Sequence, residues 1–415
     1  MSTSQPRVGF LLFGLWVEDV EYWALESRSR ESDTSAVTDS HETPDVGGLG
    51  DGRARRIPRP LLLAGVLLPL ALLLFSCSGC SPVYLAKAGW AEMKILKGRR
   101  PFDEVINDAR TDEETKRKLL LARQARSFAI HQLGLNAGDS YTSFTQLETD
   151  TLAWVLSAAY RDRLESKTWW FPIVGRMPYK GYASENGARK AQDKLEEEGL
   201  DTYLRTTSAF STLGWFADPL VSSLLRYDDV DLVETILHEL SHNHLFVKGR
   251  VRFNESFATF VGRTGAIRFF CGPEETPQNT PECQTARERW TDYQAFSRFL
   301  DEFIAELQAI YDDPAPSVND KIAAREELFK SYQNRFQVAE GVDPGDGSPL
   351  VRSFLNRPLN NAILMARMRY FHRLTDFQSL LDVHQGDLKA AVADLKTRAE
   401  SVEDPFQLLP KEPLM

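Results

Sequence analysis

The sequence predicts an α+β fold, a small sheet packed on two central helices with a helical portion following them to the C-terminal end. Two stretches, 228–246 and 254–270, carry apolar residues at helical spacing on either side of a short break containing Lys248-Gly249-Arg250. Ahead of them, 152–157 and 202–210 read as strands, and 113–133 and 184–199 as helices. After Cys283 the pattern is almost wholly helical, over 285–311, 318–339 and pieces from 360 to about 398. No internal repeat and no heptad run long enough for a coiled coil is visible.

At the amino terminus, residues 27–52 are polar, Gly-rich and aperiodic, so 1–60 are expected to be a disordered extension or to lie upstream of the true start. Arg53, Arg55, Arg56 and Arg59 then precede an apolar run over 61–75 that ends in Ser76-Cys77-Ser78-Gly79-Cys80. Basic region, apolar region and small residues before a Cys is the order of a bacterial lipoprotein signal over 61–80, with Cys80 the lipidated residue. Cys77 stands where Leu is usual. An uncleaved membrane anchor is the alternative, although the run is short for a bilayer span of about 20 residues. Ser81 after the Cys favours the outer membrane, so the expected address is the cell envelope, facing the periplasm.

The first central helix holds His238-Glu239-Leu240-Ser241-His242. Residues four apart lie on one helical face, so His238 and His242 can offer two imidazole nitrogens to one metal ion, with Glu239 beside it as a base for the attacking water. Asp228 or Asp229 is the expected N-cap and Phe246 the approximate end. A catalytic zinc takes three protein ligands and keeps a fourth position open. Glu255, in the first turn of the second central helix, is the candidate third ligand. Thr259, four residues on, could accept the outer N–H of a ligand histidine. His244, two residues from His242, falls on the far side of the helix and is expected to pack.

Cys271 and Cys283 flank a loop rich in Pro and acid. In an oxidising compartment they are expected to pair; metal binding is the weaker alternative, since neither a CxxC nor a nearby His accompanies them. The chain carries a net charge of −10 and shows no basic, aromatic-interleaved surface, which argues against a nucleic-acid partner.

The run Asn254-Glu255-Ser256-Phe257-Ala258 resembles the NEGFA motif of gluzincin metallopeptidases such as the M1 aminopeptidases. A longer likeness links the chain to a bacterial family of zinc aminopeptidases, often lipoproteins. It rests on KTWWFPIVGRMPYKGY, on AFSTLGWFADPLVSSLLRYDD and on ETILHELSHNHLFVKGRVRFNESFATFVGRTG, with a weaker echo at Leu359-Asn360-Asn361-Ala362. The resemblance implies a zincin-like fold with 81–283 as the catalytic part and 284–415 as its helical continuation. It also implies one Zn2+ ion, a peptide substrate, Tyr179 and Tyr182 as candidates to stabilise the oxyanion, and STLGW as an edge strand pairing with substrate. Two departures stand out. The spacer between His242 and Glu255 is shorter than in the M1 enzymes, and residue 262 is Gly where the family has an acid. The GAMEN sequence that holds a free amino group is missing, so aminopeptidase, envelope endopeptidase and non-catalytic metal-stabilised lipoprotein remain three readings of the same residues.

Overall fold

The computed structural model describes residues 82–411 other than 150, 172–174, 208–216, 273–278 and 341–348. Cys80, the apolar run at 61–75 and the expected edge strand STLGW lie outside these residues. Among the described residues no helix is long and apolar enough to cross a membrane.

The fold is helix-rich with small sheets. Three helices, α1 (Pro82–Lys97), α2 (Phe102–Asn107) and α3 (Glu113–His131), lead into the strands, and α4 (Glu185–Glu197) lies among them. The helical series continues with α5 (Asp229–His244), α6 (Val251–Cys271), α7 (Pro281–Asp312) and α8 (Val318–Glu340). It closes with α9 (Pro349–Leu355), α10 (Asn361–Phe371), α11 (Leu374–Val383) and α12 (Leu388–Arg398). One buried apolar cluster extends from Phe102 to Leu409 and includes residues of both central helices and of the C-terminal ones.

Strand β1 (Arg100–Pro101) pairs antiparallel with β2 (Ser143–Thr145), which pairs parallel with β8 (Leu220–Val221). A second sheet is wholly antiparallel, with β3 (Ala153–Ala159) between β6 (Tyr179–Tyr182) and β7 (Asp201–Thr207). A two-stranded ribbon joins β4 (Trp169–Phe171) to β5 (Gly175–Met177). In the second sheet Ser157 sits opposite Tyr179 and Tyr203, while Trp154 sits opposite Tyr182 and Thr206. Side chains alternate along a strand, so Tyr179, Ser157, Tyr203 and Arg205 share one face and Tyr182 takes the other.

Each face has its own helix. α4 covers the Tyr182 face, where Gln192 donates to the Thr202 hydroxyl at 3.0 Å. α10 covers the Tyr179 face, where Arg369 donates to Ser157 Oγ at 3.1 Å. Two asparagines fix that second contact. Asn360 caps α10 by accepting from Ile363 N at 2.9 Å and donates to the Thr202 carbonyl at 2.9 Å. Asn361, fully buried, donates to the Tyr160 carbonyl at 2.8 Å and accepts from the Tyr311 hydroxyl at 2.9 Å.

The two central helices form an antiparallel hairpin. Asp228 is the cap of α5, accepting from Asp231 N at 2.9 Å. The helix stops at His244, two residues before the expected end, because Leu245 is extended. α6 begins at Val251, earlier than the expected residue 254, so Glu255 lies in its second turn. Asn254, where the sequence pattern put the start of this helix, bonds back to the loop. Its Nδ2 donates to the Val247 carbonyl and its Oδ1 accepts from Val247 N, both at 2.9 Å. Gly249, at φ +76°, supplies the left-handed residue that the turn needs. Cys271 and Cys283 form a disulfide across the step from α6 to α7, with Cα atoms 4.8 Å apart. Closing so short a loop contributes about 3 kcal/mol by chain entropy.

Candidate metal centre

His238 and His242 project from one face of α5 with their Nε2 atoms 3.2 Å apart. Glu255 reaches them from α6, with Oε2 3.3 Å from Nε2 of His238 and 3.5 Å from Nε2 of His242. All three side chains are buried, and together they form a group able to hold a metal ion. The triangle can be tested against coordination chemistry. Tetrahedral bonds of roughly 2.0–2.2 Å put neighbouring donor atoms about 3.4 Å apart, which the three edges match closely.

The electrostatics agree with that fit. Burial pushes the carboxyl of Glu255 up, but hydrogen bonds from His238 and His242 outweigh it and hold the group at about 2. Burial brings His238 down to about 4, against the opposing pull of Glu255. The carboxylate is therefore charged and the His238 ring neutral at pH 7, the forms that a metal ion binds.

A charged brace lies behind the ligands. Arg263 of α6 contacts Glu234, one turn before His238, and donates to the Tyr293 hydroxyl of α7 at 2.6 Å. Arg289 of α7 bonds Asp231 at 2.7 Å and the capping Asp228 at 2.6 Å. Gly262 allows the two central helices to touch. A Cβ at that position would lie 2.9 Å from the Glu234 carbonyl oxygen and 3.3 Å from Cβ of His238. The glycine that stands where the resemblance implies an acid is thus a close-approach contact with no room for a side chain.

Glu239 is buried on α5 beside the ligands. Tyr179 is 2 % exposed, and its hydroxyl has no hydrogen-bond partner among the described residues. Burial, and next the charge of Glu255, push that hydroxyl well above its ordinary pKa, with Glu239 acting the same way. It therefore stays protonated as a donor close to both carboxylates. Tyr182 does not join it: on the opposite face of β6, it packs edge-on against Tyr84 of α1, with ring centroids 5.8 Å apart. The pairing of the two tyrosines at one site is corrected by strand alternation, which sends residues three apart to opposite faces.

Thr259 is buried on α6, but its hydroxyl bonds neither imidazole. A side chain a full turn beyond Glu255 starts roughly 6 Å away, too far for a short hydroxyl to follow the carboxylate to the rings. His244 points elsewhere as expected, its Nδ1 accepting from Asn136 N at 3.1 Å.

Sequence reasoning missed what α10 brings. The Tyr370 ring lies 6.3 Å from that of His238, centroid to centroid. The Arg369 guanidinium lies 5.2 Å from the Tyr179 ring centroid, and the Arg369 carbonyl accepts from Ser256 Oγ at 2.9 Å, directly after Glu255. No local motif marks these residues; the nearest signal was the Asn360-Asn361 echo that docks their helix.

Compared with known proteins, residues 83–404 match a family model described as "Putative aminopeptidase". No curated protein and no solved structure matches the chain.

Proposed function

Because the chain belongs to the family described as "Putative aminopeptidase", we propose that it is a zinc-dependent metallopeptidase of zincin-like architecture, acting on peptides with a free amino terminus. One observation carries this reading: the buried triangle of His238, His242 and Glu255, with edges of 3.2, 3.3 and 3.5 Å. Two imidazoles and a carboxylate are a catalytic zinc donor set that leaves one position open. When bound, the ion supplies Lewis acidity, polarising the substrate carbonyl and acidifying the attacking water.

The chain's own residues do the rest. Glu239 takes the proton from the attacking water and later hands it to the leaving amine as the peptide C–N bond breaks. Tyr179 donates its hydroxyl proton in a hydrogen bond to the oxyanion that forms on the substrate. Arg263, Arg289 and their acids hold α5 against α6 and α7 so that the ligands keep their spacing.

The proposal extends to location. Lipidation at Cys80 would tether the catalytic part to the outer membrane, facing the periplasm, and the Cys271–Cys283 disulfide supports an oxidising compartment.

The test is a peptide panel with free and acetylated amino termini, incubated with zinc-loaded protein and with its Glu239→Gln variant. Cleavage of free-amine peptides alone, reduced at least about 100-fold in the variant, is expected. Equal cleavage of acetylated peptides would make the protein an endopeptidase, and no cleavage of either kind would contradict the peptidase reading.

A further inference from the structure

Arg369 is 3 % exposed, and among the described residues no carboxylate pairs with it. One of its Nη atoms donates to the neutral Ser157 hydroxyl at 3.1 Å. Its Nε is buried with no hydrogen-bond partner. An arginine cannot shed its charge inside a protein, and a buried cation without a counter-ion is strongly disfavoured. A fold keeps such a group where something else supplies the anion.

The location says what that something is. Arg369 is tied through its carbonyl to Ser256, the neighbour of Glu255, and it precedes Tyr370, whose ring lies beside His238. Its guanidinium sits over the Tyr179 ring, 5.2 Å from the centroid. Packing against an aromatic face fixes the plane of a guanidinium and leaves its N–H edge for planar, bidentate partners, of which a carboxylate is the best match. A second buried cation, Arg205 on the same sheet face, adds to the positive potential at Tyr179. The two acids whose charge acts on Tyr179 have other work, Glu255 bonded to both imidazoles and Glu239 beside the ligands.

We propose that Arg369 is a specificity-determining residue that binds a carboxylate of the peptide substrate next to the metal centre. This rests on the metallopeptidase reading and sharpens it: the preferred substrates carry a negative charge near the cleaved bond. That charge comes from the C-terminal carboxylate of a short peptide or from an acidic side chain, and Arg369 serves either by the same contact.

The test separates these sources and does not depend on turnover. Binding to the zinc-loaded Glu239→Gln protein is measured by calorimetry for trialanine and its C-terminal amide, and for an amidated tripeptide with aspartate or asparagine at one position. At least one carboxylate form is expected to bind about tenfold or more tightly than its neutral counterpart. The pair showing the difference identifies the source. Adding Arg369→Gln should abolish the difference while zinc content stays at one per chain. Should that variant fail to fold, the four ligands on the Arg369 protein still decide the matter. Peptides that bind, or are cleaved by the wild type, without any preference for the charged form would overturn the subsite and leave the peptidase reading intact. Absence of both binding and cleavage would overturn the two together.

Discussion

Gly262 and Glu234 meet so closely that a Cβ on the first would lie 2.9 Å from the carbonyl oxygen of the second. That contact sets the distance between the helix carrying the histidines and the helix carrying Glu255. Gly262→Ala must push backbone from backbone, since the obstructing atom is not a mobile side-chain end. Overpacking of this kind costs about 1–3 kcal/mol. Thermal unfolding should show the loss, and zinc affinity should fall with it because the ligand triangle opens.

Tyr179 allows a cleaner separation of chemistry from stability. Its hydroxyl is buried and makes no hydrogen bond among the described residues, so Tyr179→Phe leaves nothing unpaired and should fold at least as stably as the parent. Loss of an oxyanion donor costs about 100- to 1000-fold in kcat. Steady-state kinetics should show that fall with KM little changed. Unchanged kcat would remove Tyr179 from the reaction, and Tyr182, facing α4, would not replace it.

A pH effect follows from Glu92 on α1. Its side chain is buried, neither oxygen has a hydrogen-bond partner among the described residues, and burial first, then Asp218, raises its pKa from 4.5 to about 8. A carboxyl whose folded pKa lies above its unfolded value binds more protons when folded. Its stabilisation is complete below about 4.5 and is lost as pH climbs toward 8. Glu92→Gln should therefore be more stable than the parent at pH 8, by up to about 4 kcal/mol, and close to it at pH 4.5. Denaturant melts across that range check the sign; a parent that gains stability with rising pH relative to the variant would refute it.

The parts of this fold legible in sequence are those written by local periodicity. Helical spacing put His238 and His242 on one face of α5, and the strands read at 152–157 and 202–210 fall on β3 and β7 to within three residues of their ends. The short strands β4, β5 and β6, three to four residues long, carry too few positions for a period to register. Asn254 misled as an apparent helix start, because its amide serves the preceding loop from inside α6. Gly262 read as a missing acid, although its role is steric and emerges only when two helices touch. Arg369 and Tyr370 reach the site from more than 100 residues beyond Glu255, and nothing in a local pattern encodes such a meeting.

The most direct measurement is zinc content of the purified protein from Ser81 onward, set beside Glu255→Ala. Near one zinc per chain in the parent, lost or sharply weakened in the variant with the fold retained, is the predicted result. Full zinc occupancy in the variant would contradict the account, because the ion would then be held without the carboxylate that closes the triangle.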